Sequence, residues 1–300
     1  QNEKDSIEST PLTEVVATAK EQKEIISAQK LSGQELDALN SFSVADAIRY
    51  FSGVQLKDYG GVGGLKSINI RSMGTNQVGV FYNGIQLGNA QNGQVDLGKF
   101  SMDNIEEISL YNGQRSKIFQ SARDFGSASS IYIQPRKPHF ASNKNTNIKA
   151  NLKFGSFDLI NPSLLMEYKI NNNISLSFNG EWINASGKYK VHYRRVLPKS
   201  KIVAYDTVAI RQNGDINAVR LEAALYGTLE KGTWNVNFYN YSSDRGVPGA
   251  VINNKWKRGE RMQDINSFVQ GNMKLAISDR WNTLLNIKYA SDYTHFENFD

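Results

Sequence analysis

Cysteine is absent from all 300 residues, which excludes disulfides, thiolate metal sites and cysteine nucleophiles. A chain without thiols also fits an oxidising cell envelope. Histidine is scarce at 3 residues, and His139, His192 and His295 lie too far apart for metal-ligand spacing, so no zinc site is expected. Proline, at 6 residues, leaves few breaks in regular structure. No run of about 18 apolar residues exists, so a transmembrane helix is excluded and a membrane-spanning chain would have to be a β-barrel. Nucleophile-elbow, His-Glu-x-x-His, EF-hand, Walker and Gly-x-Gly-x-x-Gly sequences are all missing. The pair Glu106-Glu107 would point to opposite faces of a strand, a poor geometry for shared acid and base work. No catalytic constellation emerges, so no enzyme, cofactor or metal is expected.

What is present leans towards β structure: 14 Tyr, 14 Phe and 24 Gly, with 40% hydrophobic and 21% charged residues, a balance that suits a folded chain. The net charge of +6 is spread among 29 acidic residues, so no nucleic-acid partner is expected. The densest basic run is Lys188, Lys190, Arg194, Arg195, Lys199 and Lys201. It reads as a solvated loop or strand rim, or as an attraction for anionic lipid or ligand.

Along the chain, Gln1 to Thr10 is polar and reads as a flexible, processed terminus. Leu12, Thr13, Glu14, Val15, Val16, Ala17, Thr18 and Ala19 form a β-prone segment suited to adding itself to another protein's sheet edge. The other reading is a first strand of the folded domain. Ser32 before Glu35 is cap-like. Val44, Ala47, Ile48 and Phe51 share one helical face between an N-cap at Ser43 and a stop at Gly53. Residues 67–71, 78–82 and 105–111 have the character of short strands. The glycine-rich stretch 57–64 is expected as a loop whose aromatic, Tyr59, could touch a ligand. Residues 85–94 form a second polar loop. Its carboxamides Asn89, Gln91, Asn92 and Gln94 donate and accept hydrogen bonds, which suits a neutral polar ligand or a solvated turn equally.

From Phe140 onward the texture becomes alternation. Ile148, Ala150, Leu152 and Phe154 oppose Lys149, Asn151 and Lys153, and the pattern recurs through residues 174–182, 220–230 and 234–238. Lipid-facing barrel strands with a wet interior require this, and soluble sandwiches also produce it. Residues 158–162 and 171–173 read as short turns, 199–217 and 242–261 as long connections.

Ile70-Arg71, then Val80-Phe81-Tyr82-Asn83-Gly84-Ile85, then Ile105-Glu106-Glu107-Ile108 leading to Tyr111-Asn112-Gly113, resemble the plug domain of TonB-dependent outer-membrane transporters. Ser52-Gly53-Val54, and Phe125 to Ile133 as a closing strand, are similar to the family as well. Gly74-Thr75-Asn76, the amide loop and Asp96-Leu97 most resemble the cobalamin-transporting members. Ser72 and Met73 depart from the family's glycine after Arg, and Ser129 and Ser130 stand where glycines are usual.

The resemblance implies a mainly β chain: a flexible N-terminus with a TonB box (1–19), an α+β plug (20–137), and the first antiparallel strands of a transmembrane β-barrel (138–300). The last segment has room for roughly eight or nine strands, against about 22 in plugged transporters, so the sequence is expected to be part of a longer chain. Further implied are a bacterial outer-membrane location and a TonB partner at Leu12 to Ala19. Arg71, Glu106 and Glu107 would make ionic plug-to-barrel contacts, and an intradomain bridge is the alternative. The cargo would be a small molecule, a corrinoid by preference and a ferric siderophore or haem next. Outer-membrane lipid and a surface lipoprotein complete the candidate partners. A soluble β-rich binding module is the alternative of another class, and a porin is disfavoured by the obstructing plug.

Overall fold

A computed structural model of the chain describes residues 28–59, 61–88, 94–113, 126–197, 200–248, 259–278 and 280–299. The first part is a small mixed domain: β1 Gln29–Ser32, α1 Gly33–Ala38, α2 Val44–Ile48, β2 Val54–Asp58, β3 Lys66–Ile70, β4 Val78–Tyr82, β5 Ile85–Leu87, β6 Ile105–Tyr111 and β7 Ser129–Pro135. Five of these form a sheet in the order β1-β6-β7-β4-β5, with β4 and β7 parallel, while β2 and β3 pair separately. The core is the apolar set the periodicities demand. Val44, Ala47 and Ile48 of α2 are buried, with Phe51 in the turn after the helix rather than on the expected helical face, against Ile68, Ile70, Val80, Ile108, Leu110, Ile131 and Ile133. Each large side chain so buried contributes about 1.5–3 kcal/mol.

Ser43 caps α2 as expected, its Oγ accepting from Asp46 N at 3.4 Å, and Gly53 follows the helix at φ 78°. Ser32 occupies the N-cap position of α1 but makes no side-chain cap bond. Lys57 and Asp58, expected in a loop, close β2, and a 3-10 turn covers Gly61–Gly63. At the edge, β1 pairs with β6 over four residues, and the Gln29 side chain exchanges two hydrogen bonds with the backbone of Ser52.

The second part is a wall of long strands: β8 Thr146–Gly155, β9 Leu159–Lys169, β10 Ile174–Ala185, β11 Tyr189–Val196, β12 Val203–Arg211, β13 Ile216–Leu229, β14 Gly232–Gly246, β15 Glu260–Ala276 and β16 Asn282–Asn298. Seven make one antiparallel sheet, β16-β15-β14-β13-β10-β9-β8, and β11 with β12 forms a hairpin of its own. Burial in the wall is inverted. Ile148, Leu152 and Phe154 are 58–70% exposed, whereas Asn161, Glu167, Asn179, Glu181 and Arg220 are at most 3% exposed. In water such a sheet would be unstable on both faces. It suits a hydrocarbon surround on one side and a polar filling on the other. The filling is the small domain.

Three expectations about connections need correction. Residues 199–217 contain β12, whose two faces are both rich in aliphatics, which hides the period-two signal. Ser242 to Gly246 and Glu260-Arg261 belong to β14 and β15, shortening the expected 242–261 connection. Of the expected turn at 158–162, residues 159–162 belong to β9, and the turn that precedes Leu159 lies at the same end of the wall as the β11–β12 hairpin, since antiparallel order fixes its end. It is therefore the short member among the connections at that end, opposite the turns at 170–173 and 230–231.

Candidate functional site

The small domain meets the polar face of the wall along a continuous seam, and the β4–β5 turn supplies its centre. Asn83 and Gly84 both have positive φ, 48° and 81°. This is what a two-residue hairpin turn needs and why Asn-Gly serves there. The turn delivers the Asn83 amide to the wall, where Nδ2 donates to Asn235 Oδ1 at 2.8 Å and Asn237 Oδ1 at 2.9 Å. In return, Gln270 Nε2 donates to Tyr82 O at 2.9 Å and Asn272 Nδ2 to Asn83 O at 3.2 Å. Beside them Tyr82 Oη (3.0 Å) and Asn104 Nδ2 (2.5 Å) both donate to Glu222 Oε2. Burial, reinforced by the Glu222 carboxylate, raises the Tyr82 hydroxyl well above its ordinary pKa, so it stays a donor.

Towards the long-connection end, Asp96 organises a 3-10 turn at Leu97–Lys99 by accepting from Gly98 N and Lys66 N. This turn presents Gly98 O to Arg220 Nη2 at 2.6 Å, while Arg220 Nη1 donates to Glu181 at 2.8 Å. Lys99 Nζ reaches Asn266 at 2.7 Å and Asp264 at 3.3 Å. Asp264 also holds Arg245, whose Nη1 donates to Gly63 O at 2.6 Å. In the cross-strand row of Arg220 and Glu181, Asp103 accepts from Ser163 and Asn151, and nearer the other end Arg136 pairs with Glu167 at 3.0 Å. Each neutral bond contributes about 0.5–1.5 kcal/mol net and is replaceable by a bond to water. The seam therefore seats the small domain through many hydrogen bonds and ion pairs, and through an apolar contact in which Tyr82 packs against Phe268 at 5.7 Å and Phe100 against Tyr239 at 5.2 Å.

The residues singled out from the sequence lie as follows. Tyr59 is 61% exposed, and its backbone N donates to Leu65 O. Gln94 is half-buried and lines a cavity of about 80 Å³ with Asp96, Lys99, Phe268, Lys288 and Asp292, below the roughly 300 Å³ of an ordinary small-molecule site. Larger cavities of about 340 and 320 Å³ exist, lined by neither Tyr59 nor Gln94. Asn89, Gln91, Asn92 and the segment Leu12 to Ala19 lie outside the described residues. Arg71 is exposed at φ 49°, Glu106 is exposed and Glu107 half-buried beside a β6 irregularity. Among the described residues none of these three makes an ion pair. The ionic seam contacts run through Lys99, Asp103 and Arg136 instead. Asn83 went unassigned in the sequence reading, although an Asn-Gly dipeptide between two strand-like runs was the signal for it.

Residues 20–126 match the family model for the TonB-dependent Receptor Plug Domain. A Vitamin B12 transporter BtuB of Vibrio vulnificus is 25% identical over 215 residues, covering 70% of this chain and 31% of the relative. Among solved structures, the copper transporter OprC superposes with a TM-score of 0.66 at 14% identity, over 91% of this chain and 38% of that one. The ferric citrate transporter FecA, unliganded, gives 0.65 at 13% identity over 91% and 41%. The chain thus spans about a third of the length of such relatives. It resembles TonB-dependent receptors, close to the BtuB group, in a plug domain followed by part of an antiparallel barrel.

Proposed function

With a TonB-dependent receptor plug matched at residues 20–126, we propose that this chain forms the plug (20–137) and first barrel strands (138–300) of an outer-membrane importer. The inverted burial of the wall, with the small domain seated on its polar face, carries this reading. A plug held to the wall by water-exchangeable bonds and by one aromatic cluster of Tyr82, Phe100, Tyr239 and Phe268 blocks the lumen at rest, and its displacement costs that cluster as well as the polar bonds. In this reading Leu12 to Ala19 is the box that engages TonB, and ligand meets Tyr59, Asn89, Gln91, Asn92 and Gln94 on the plug loops. Ligand binding exposes the box only if it favours the box-exposed state.

The cargo we favour is a corrinoid, because the relatives matched in sequence are named as vitamin B12 transporters. The copper and ferric citrate proteins, at 13–14% identity, bear on the fold alone. The test is titration of the detergent-purified parent protein with cyanocobalamin and with a ferric siderophore, followed by tryptophan fluorescence. Saturable binding of cyanocobalamin alone is expected. Binding of the ferric siderophore alone would overturn the cargo, and extraction from cells without detergent would overturn the membrane reading itself.

A further inference from the structure

Along the seam, buried carboxylates come with cations. Asp264 is met by Lys99 and Arg245, Asp103 by Lys153, Glu167 by Arg136 and Glu181 by Arg220. Glu222 is the exception. It is 5% exposed and makes no ion pair among the described residues. The one cation of its strand, Arg220, donates to Glu181 and to Gly98 O. Tyr82 and Asn104 of the plug both donate to Glu222 Oε2, and no described residue donates to Oε1. Desolvating a carboxylate without a counter-charge is too costly to sustain, so Glu222 takes either a proton or a cation.

The groups beside it favour the cation. The register places Asn179 opposite Glu222 on the polar face of the wall. Asn179 is 0% exposed, and neither its Oδ1 nor its Nδ2 has a partner among the described residues. Amides buried to that degree are almost always bonded, so the space in front of this one is occupied. Two more buried oxygens are unpartnered: Asn104 Oδ1, left free by its donating Nδ2, and Ser177 Oγ, one rung along opposite the small Ala224. A proton on Glu222 would serve one of these acceptors, whereas a cation serves several. Oxygen atoms alone select a hard cation, since softer metals take imidazole and thiolate. One carboxylate among neutral oxygens carries a single negative charge, which a monovalent cation cancels and a divalent one would exceed. Asn179 Nδ2 is then met by a water of the cation's shell.

We propose that Glu222 and Asn179 of the wall, with Asn104 of the plug, hold one sodium ion where plug and wall meet. Asn104 reaches the site from the plug, so the site is complete only while the plug is seated. A ligand that binds one state and not the other stabilises the state it binds. Sodium therefore helps to hold the plug in place, and displacement of the plug releases it. The inference goes beyond the importer reading and needs only the contact itself, not the cargo.

The full-length protein carrying this chain, in detergent, is exchanged into choline chloride and titrated with sodium chloride at constant ionic strength, at mildly acid and at mildly alkaline pH. Binding is read from broadening of the sodium NMR line, and seating from hydrogen exchange across residues 103–106. The expected result is saturable broadening, with exchange slowed about ten-fold by sodium at roughly ten times its Kd. Glu222→Gln, which keeps the side chain's size and an acceptor for Tyr82, should lose both effects. Asn179→Leu should weaken them, and Glu230→Gln, at an exposed position, should keep them. Exchange in the parent that ignores sodium would overturn the proposal, with no variant needed. So would a sodium response that survives Glu222→Gln, or exchange that follows pH alone, which would make a proton the counter-charge. Failure of the importer reading, seen as extraction from cells without detergent, would leave the sodium titration readable on the soluble protein, so the two failures are distinguishable.

Discussion

Replacing Arg220 with alanine isolates what one buried contact contributes to the seating of the plug. The guanidinium is 1% exposed and its partner Glu181 wholly buried, at 2.8 Å. Its second nitrogen holds Gly98 O at 2.6 Å, so one side chain ties two wall strands to the plug. Removing one member of a buried pair costs about 3–5 kcal/mol, mostly because the other charge is left uncompensated. Asn161 Nδ2 still donates to Glu181 at 2.9 Å, which puts the expectation near the lower end, about 3 kcal/mol. The assay is urea unfolding of the detergent-folded full-length protein, with hydrogen exchange at residues 97–100 as a local report. Arg220→Ala should lower the stability by that amount and speed exchange there. Arg220→Ala/Glu181→Leu, which removes the stranded charge, should recover a large part of the loss. A single variant within 1 kcal/mol of the parent, or a double variant no better than the single, would refute this reasoning.

Asn83→Ala removes two amide bonds to the wall while keeping the small domain's core. It should cost about 1–3 kcal/mol in the same urea titration, with plug helicity by circular dichroism unchanged. Leu164→Lys places a charge on the outward face of β9. It should cost about 2–4 kcal/mol near the bilayer midplane, seen as reduced insertion into lipid vesicles, and Leu164→Val should insert normally. Val15→Pro and Val16→Pro remove a backbone donor needed for strand addition. Uptake of the cargo by cells should be lost with ligand binding intact, and preserved uptake would rule out the box.

The wall was legible because its signal is local. Ile148, Leu152 and Phe154 alternate with Lys149, Asn151 and Lys153, and only the sign of the burial, apolar outwards, required the fold to decide. The α2 face was legible for the same reason. The seam was not. Its members come from distant parts of the chain, as with Tyr82 and Glu222 or Lys99 and Asn266, and most are polar or charged side chains that in isolation read as surface. Motif resemblance pointed instead to Arg71, Glu106 and Glu107, which here lie outside the ionic contacts. The hairpin strand Val203–Arg211 was obscured because Ala204, Val208 and Ile210 fill the face where polar residues were looked for.

The four-rung pairing of β1 with β6 has a mechanical meaning. Tension applied N-terminal to Gln29 reaches this short edge ladder before any residue of the apolar core. The Gln29 side chain, clipped to the backbone of Ser52, shares the strain with the link between α2 and β2. Four rungs peeled in turn yield at far lower force than the same rungs sheared together. The direction of pull relative to β6, more than its strength, thus decides whether β1 detaches quietly or draws α2 out after it.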